Sequence, residues 1–161
     1  MNVYPIEAGN FKLDGGAMFG VVPKSLWTKT NPADADNMIE MSSRCMLVEN
    51  SDKLILVDTG MCDKQSEKFF KYYKRWGSDN LVKSINSAGF SIDDVTDVLL
   101  THLHFDHCGG AVAWDSSKEA YDVLFKNANY WSNEKHWDWA TSPNPREKAS
   151  FLDENLFPIK E

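Results

Sequence analysis

Apolar and polar positions along the first hundred residues predict strands and turns that give way to helices. Residues 3–7 and 11–13 read as short strands around Ala8-Gly9-Asn10, and Asp14-Gly15-Gly16 reads as a turn or bulge. A further strand is predicted over residues 17–22, ending at Pro23, because proline has no N–H to give a ladder. Residues 24–41 are polar and turn-rich, and they predict a long connection that holds Trp27 and Asn31-Pro32. Two apolar runs, 44–49 and 54–58, flank the polar turn Asn50-Ser51-Asp52-Lys53 and predict a β-hairpin. Its second run, Leu54-Ile55-Leu56-Val57, is nearly all apolar, as in a strand covered on both faces.

The period then changes. Phe69, Phe70, Tyr73 and Trp76 fall on one face of a helix predicted over residues 63–75, with Gly77 as its stop. A second helix is predicted over 80–88, with Leu81, Val82 and Ile85 inward and Gly89 as terminator. Residues 91–95 form a turn into a buried strand over 97–101. No apolar run approaches the roughly 18 to 20 residues of a spanning helix, so no membrane partner is expected. The first residues carry neither the basic nor the apolar region of a secretory signal, which makes a cytoplasmic location the expectation.

Composition changes this picture little. The 161 residues are one domain's worth of chain. With 24 acidic against 17 basic side chains and a net charge of −7, the chain is a poor polyanion ligand, so no nucleic-acid partner is expected. Cys45, Cys62 and Cys108 are odd in number and lack paired spacing, and they read as idle thiols rather than a disulfide framework or zinc knuckle.

The chemistry is concentrated in Thr101-His102-Leu103-His104-Phe105-Asp106-His107-Cys108-Gly109-Gly110, which holds three of the chain's four histidines. At the end of an extended strand, His102 and His104 project to the same side, because side chains alternate with period two. They can grip one ion as a pair. A turn at Phe105 then brings Asp106 and His107 toward a second ion. Imidazole with carboxylate suits zinc best, and iron, manganese, cobalt and nickel are compatible with the same ligand types. Without a metal, such crowded imidazoles would repel on protonation. Gly109-Gly110 allow a tight turn into a short helix predicted over 111–114. His136, among Trp131, Trp137 and Trp139 in a helix-like stretch, reads as a solvated or hydrogen-bonded histidine rather than a ligand.

Residues 101–110 resemble the signature of the metallo-β-lactamase-fold hydrolases. Leu54-Ile55-Leu56-Val57-Asp58-Thr59-Gly60 resembles that superfamily's earlier strand-and-aspartate motif. The stretch Phe11 to Gly20 with Val22-Pro23 is similar to the branch that holds N-acyl-homoserine lactonases and methyl-parathion-type hydrolases. The resemblance implies an α/β (α+β) fold, the αββα sandwich, with a two-metal site on one edge of the packed sheets. By position, His102 and His104 would ligate the first zinc, Asp106 and His107 the second, and Asp58 would steady the site from behind, unless it is only a turn former at the strand end. A water or hydroxide bridging two ions would attack a small lactone, ester or phosphotriester, with Asp106 orienting it. Phe19 and Trp27 are the candidate substrate contacts, Trp27 as part of a lid and Phe19 equally well as core.

The superfamily completes its site with a further histidine, a bridging aspartate and a last histidine downstream. After His107 this chain has only His136, and Asp115, Asp122, Asp138 and Asp153 lie in no convincing ligand context. Residues 1–161 are therefore expected to be a single domain incomplete at its C-terminus, the N-terminal half of the sandwich, with an apolar sheet face left uncovered. A homodimer is compatible with that face. Two other readings remain open: a mononuclear iron oxygenase of the same fold, and a non-catalytic metal-binding half-domain that needs a partner.

Overall fold

A computed structural model describes residues 1–160. Its strands are β1 (Asn2–Asp14), β2 (Met38–Asn50), β3 (Lys53–Val57), β4 (Asp97–Leu99), β5 (Val112–Trp114), β6 (Tyr121–Val123) and β7 (Asn129–Trp131). Its helices are α1 (Gly15–Phe19), α2 (Lys24–Trp27), α3 (Glu67–Phe70), α4 (Leu81–Ser87), α5 (Phe105–Cys108), α6 (Glu134–Thr141) and α7 (Asp153–Leu156). Five strands make one mixed sheet in the order β1-β2-β3-β4-β7, antiparallel across β1-β2-β3 and parallel across β3-β4-β7. β5 and β6 form a separate antiparallel pair.

Register decides what each face of the sheet does. Tyr4, Leu47, Leu56, Val98 and Tyr130 are cross-strand neighbours on one face, and the central three are fully buried. They pack in one cluster with Leu81 and Ile85 of α4, Val95, Leu103 and Phe125. One residue along, Pro5, Met46, Val57, Leu99 and Trp131 form the next row. Strand alternation turns this row to the opposite face, where Met46, Leu99 and Trp131 are 42%, 42% and 55% exposed. One sheet face is a core, and the other is an open apolar surface.

The hairpin β2-β3 and the helix α4, capped by Asn80 and burying Leu81 and Ile85, match the pattern-based expectation. Four expectations differ from the structure. The stretch 17–22 is not a strand: Asp14 accepts from the Ala17 N–H at 2.7 Å and starts α1, so the carboxylate that suggested a turn acts as a helix cap. The helix expected over 63–75 shrinks to Glu67–Phe70, because the following backbone is drawn to the edge of β1. The Lys12 N–H donates to the Tyr73 carbonyl and the Trp76 N–H to the Asn10 carbonyl. The short helix expected over 111–114 is confined to a 3-10 turn that ends at Ala111, and Val112–Trp114 instead pair with Tyr121–Val123. The two strands expected around Ala8-Gly9-Asn10 are one strand whose register shifts between Glu7 and Asn10, at a glycine with φ of 129°. Among the described residues no helix is long and apolar enough to cross a membrane.

Candidate metal centre

β3 and β4 run parallel, and both deliver their C-terminal ends to the same place: Asp58-Thr59-Gly60 after β3 and Thr101 to Gly110 after β4. The two loops are joined by backbone. The Thr59 N–H and Oγ1 both donate to the His107 carbonyl, at 2.8 and 2.9 Å, and the Gly110 N–H donates to the Gly60 carbonyl at 2.9 Å. Contact this close requires glycine. A Cβ on Gly109 would lie 2.4 Å from the Met61 carbonyl oxygen, and one on Gly110 would lie 2.2 Å from that of Thr59.

Asp58 sits at the centre of this junction with its backbone in the left-handed region, at φ of 59°. Its Oδ1 accepts from the Thr101 N–H and hydroxyl at 2.8 and 2.9 Å, and its Oδ2 lies 2.8 Å from His107 Nδ1. Burial pushes the Asp58 carboxyl up, but the hydrogen bonds from His107 and Thr101 outweigh it and hold the group below the usual carboxylate range. The same bond raises the His107 imidazole against the opposing effect of burial. With Nδ1 bound to Asp58, Nε2 of His107 faces the site, 3.7 Å from Asp106 Oδ2.

The remaining imidazoles crowd beside it. The His102 ring lies 4.6 Å from that of His104 and 3.9 Å from that of His107, centroid to centroid. Burial, reinforced for His102 by its histidine neighbours, lowers both His102 and His104, so each is an uncharged lone-pair donor at neutral pH. Three imidazoles and a carboxylate are the donor chemistry that zinc takes. As they stand the rings lean on one another, and among the described residues no three His, Cys, Asp or Glu side chains are set to hold an ion. Closing a coordination sphere here needs ring rotation or further donors.

Sequence reasoning did not find the walls of the site. Phe105, between His104 and Asp106, packs against Phe69 and Tyr73 at 5.3 and 4.8 Å, and Phe151 packs edge-on to His104 at 4.9 Å. The aromatic spacing of residues 69–76 signalled an apolar face but not its target. Phe151 carries no sequence signal at all. Phe19 and Trp27 stack on each other at 4.9 Å, with Trp27 buried against Gly15 rather than exposed in a polar loop. Cys45 and Cys108 are buried, and burial pushes both thiols up to about 12, so neither is a nucleophile at neutral pH.

The model of the metallo-beta-lactamase superfamily matches residues 39–160. The chain belongs to that superfamily. Within it, the chain is 28% identical over 104 residues to an N-acyl homoserine lactonase of Bacillus cereus, covering 58% of this chain and 40% of the lactonase. It is 30% identical over 108 residues to a protein of Mycobacterium tuberculosis named as a probable metallo-hydrolase, covering 58% and 35%. Among solved structures, a protein from Staphylococcus aureus described as a probable metal-dependent hydrolase superposes with a TM-score of 0.90 at 29% identity, covering 99% of this chain and 56% of that one. AidC, a dizinc quorum-quenching lactonase, superposes at 0.69 with 24% identity, a likeness of fold. The chain spans well under two thirds of the length of each of these relatives.

Proposed function

We propose that this chain is the N-terminal, metal-gripping part of a dinuclear zinc hydrolase that opens a small lactone, ester or phosphotriester. The observation that carries the reading is the convergence of His102, His104, Asp106 and His107 at the loop end of two parallel strands, with Asp58 bonded to Nδ1 of His107. His102 and His104 would hold one ion, and Asp106 and His107 the other. When bound, the ions supply Lewis acidity for the substrate oxygen and lower the pKa of a coordinated water.

The chain's own residues do the rest. Asp58 keeps the His107 ring oriented and, in the neutral ring, holds the proton on Nδ1 so that Nε2 carries the lone pair, as outer carboxylates commonly do for metal-binding imidazoles. Asp106 offers a carboxylate oxygen that accepts a hydrogen bond from the attacking water and fixes its approach. Phe69, Tyr73 and Phe105 exclude water from one side of the site and give an apolar wall to a substrate. Lactone chemistry is favoured by the named activity of the Bacillus relatives and by AidC, which carries a homoserine product.

The short span of the chain and the unclosed donor set support a further point. Activity is expected of the domain once the remaining donors are supplied, while the 161 residues alone are expected to take up zinc only once the histidine rings rotate. The test is zinc content after dialysis, with hydrolysis of a lactone and aryl-ester panel by the assembled protein. Zinc retained by the chain, lost in His104→Ala, with activity abolished by chelation, supports the proposal. Turnover that survives both exhaustive chelation and His104→Ala refutes it.

A further inference from the structure

We infer that His136 is a positioning residue for the metal centre: its imidazole, together with the Cys108 thiol, clamps the peptide of Leu103 that separates His102 from His104. The inference rests on reading those two histidines as metal donors.

Leu103 is fully buried, so both its backbone polar groups need partners. Both partners are side chains. The Leu103 N–H donates to His136 Nε2 at 2.9 Å, and its carbonyl accepts from Cys108 Sγ at 3.2 Å. His136 comes from α6, 33 residues further along the chain, and is itself held in place. Its own N–H donates to Asn133 Oδ1 at the cap of that helix, and the Phe151 ring stands edge-on to both His136 and His104. Accepting a backbone N–H requires the lone pair of Nε2, so the ring proton sits on Nδ1. While that bond stands, Nε2 of His136 is committed to the loop and unavailable to an ion.

The consequence for the site is geometric. The spacing of His102 and His104 depends on the backbone of Leu103 between them, which lies beyond the end of β4 and before α5, in neither strand nor helix. A clamp on its N–H from one side and its C=O from the other fixes the spacing of the two imidazoles. Loss of such outer contacts commonly weakens metal binding by about 10- to 100-fold.

The test uses the full chain uniformly labelled with 15N, zinc chloride titrated against a chromophoric chelator, and amide exchange at Leu103. His136 Nε2 is expected to be unprotonated and coupled through the hydrogen bond to the Leu103 amide nitrogen. His136→Leu, which has no acceptor, is expected to bind zinc at least about 10-fold more weakly and to lose Leu103 protection. His136→Gln, whose amide oxygen can take the place of Nε2, is expected to restore both to within about 3-fold of the parent. The inference is overturned if the folded parent shows no coupling at His136, if His136→Leu matches the parent in zinc affinity, or if zinc breaks the Leu103 bond and shifts His136 Nε2. Absence of zinc binding by the parent instead overturns the metal-centre reading. The clamp is then judged by exchange alone: protection lost in Leu and kept in Gln supports it, and equal protection in all three chains overturns it.

Discussion

Replacing Asp58 by asparagine separates the structural from the chemical role of this carboxylate. Asp58 accepts from three donors, the Thr101 N–H, the Thr101 hydroxyl and His107 Nδ1. Asn keeps one acceptor, and the Thr101 N–H, with no freedom to change, claims it. The amide nitrogen then faces His107 Nδ1, which must turn from donor to acceptor, and the imidazole proton moves to Nε2. That is the atom proposed to bind zinc. One charge-assisted bond becomes a neutral one, so the fold loses about 1–2 kcal/mol, while zinc affinity drops by about 10- to 100-fold. Asp58→Ala removes the acceptor of all three donors. Thr101 is exposed and the His107 side chain is 37% exposed, so both regain part of the loss from water, which places the cost at roughly 2–3 kcal/mol. Urea unfolding of the zinc-free chains gives the stability terms, and chelator competition gives the affinities. The reasoning is refuted if Asp58→Asn binds zinc as tightly as the parent, or if Asn and Ala lose affinity only in proportion to their loss of stability.

Three other expectations follow from the same structure. Gly110→Ala forces a methyl to 2.2 Å from the Thr59 carbonyl oxygen, so it lowers stability by about 1–3 kcal/mol in denaturant melts and weakens zinc binding with it. The open sheet row predicts concentration-dependent self-association and dye binding by the isolated chain. Met46→Lys with Leu99→Lys reduces both in sedimentation velocity, and an unchanged profile would exclude this face. Asp97 is pushed up by burial but held below the usual carboxylate range by hydrogen bonds from Thr96, Lys53 and Trp131. Its folded pKa lies below its unfolded one, so its stabilisation is complete above about pH 4 and is lost as pH falls toward the folded value. Asp97→Asn makes the acid limb of a stability-against-pH curve shallower over that window.

The clustering of the proposed donors was legible in the sequence because it is local: His102, His104, Asp106 and His107 lie within one turn-forming stretch, and histidine is rare in this chain. The hairpin and α4 were legible for a similar reason, since apolar runs and caps act over a few residues. Most of what failed was decided at a distance. The helix over 63–75 stops because the backbone of Tyr73 and Trp76 bonds to β1, sixty residues earlier in the fold's construction of its edge. Trp27 looked like a polar-loop residue, yet its ring fills the space above Gly15 and stacks on Phe19. The sequence set His136 apart from the expected ligands, and its bond to the Leu103 N–H has no sequence signature, because the partner is a backbone group. The strand expected over 17–22 failed locally, where the cap chemistry of Asp14 prevailed over apolar alternation.

The central claim is that zinc is held by the imidazoles of residues 102–107. X-ray absorption at the zinc edge of the loaded chain tests it directly. The account predicts a first shell of nitrogen and oxygen at about 2.0–2.1 Å with the outer scattering of at least two imidazoles, lost when His102 and His104 are both replaced by alanine. A sulfur shell at about 2.3 Å, or a spectrum unchanged by that double replacement, would contradict it.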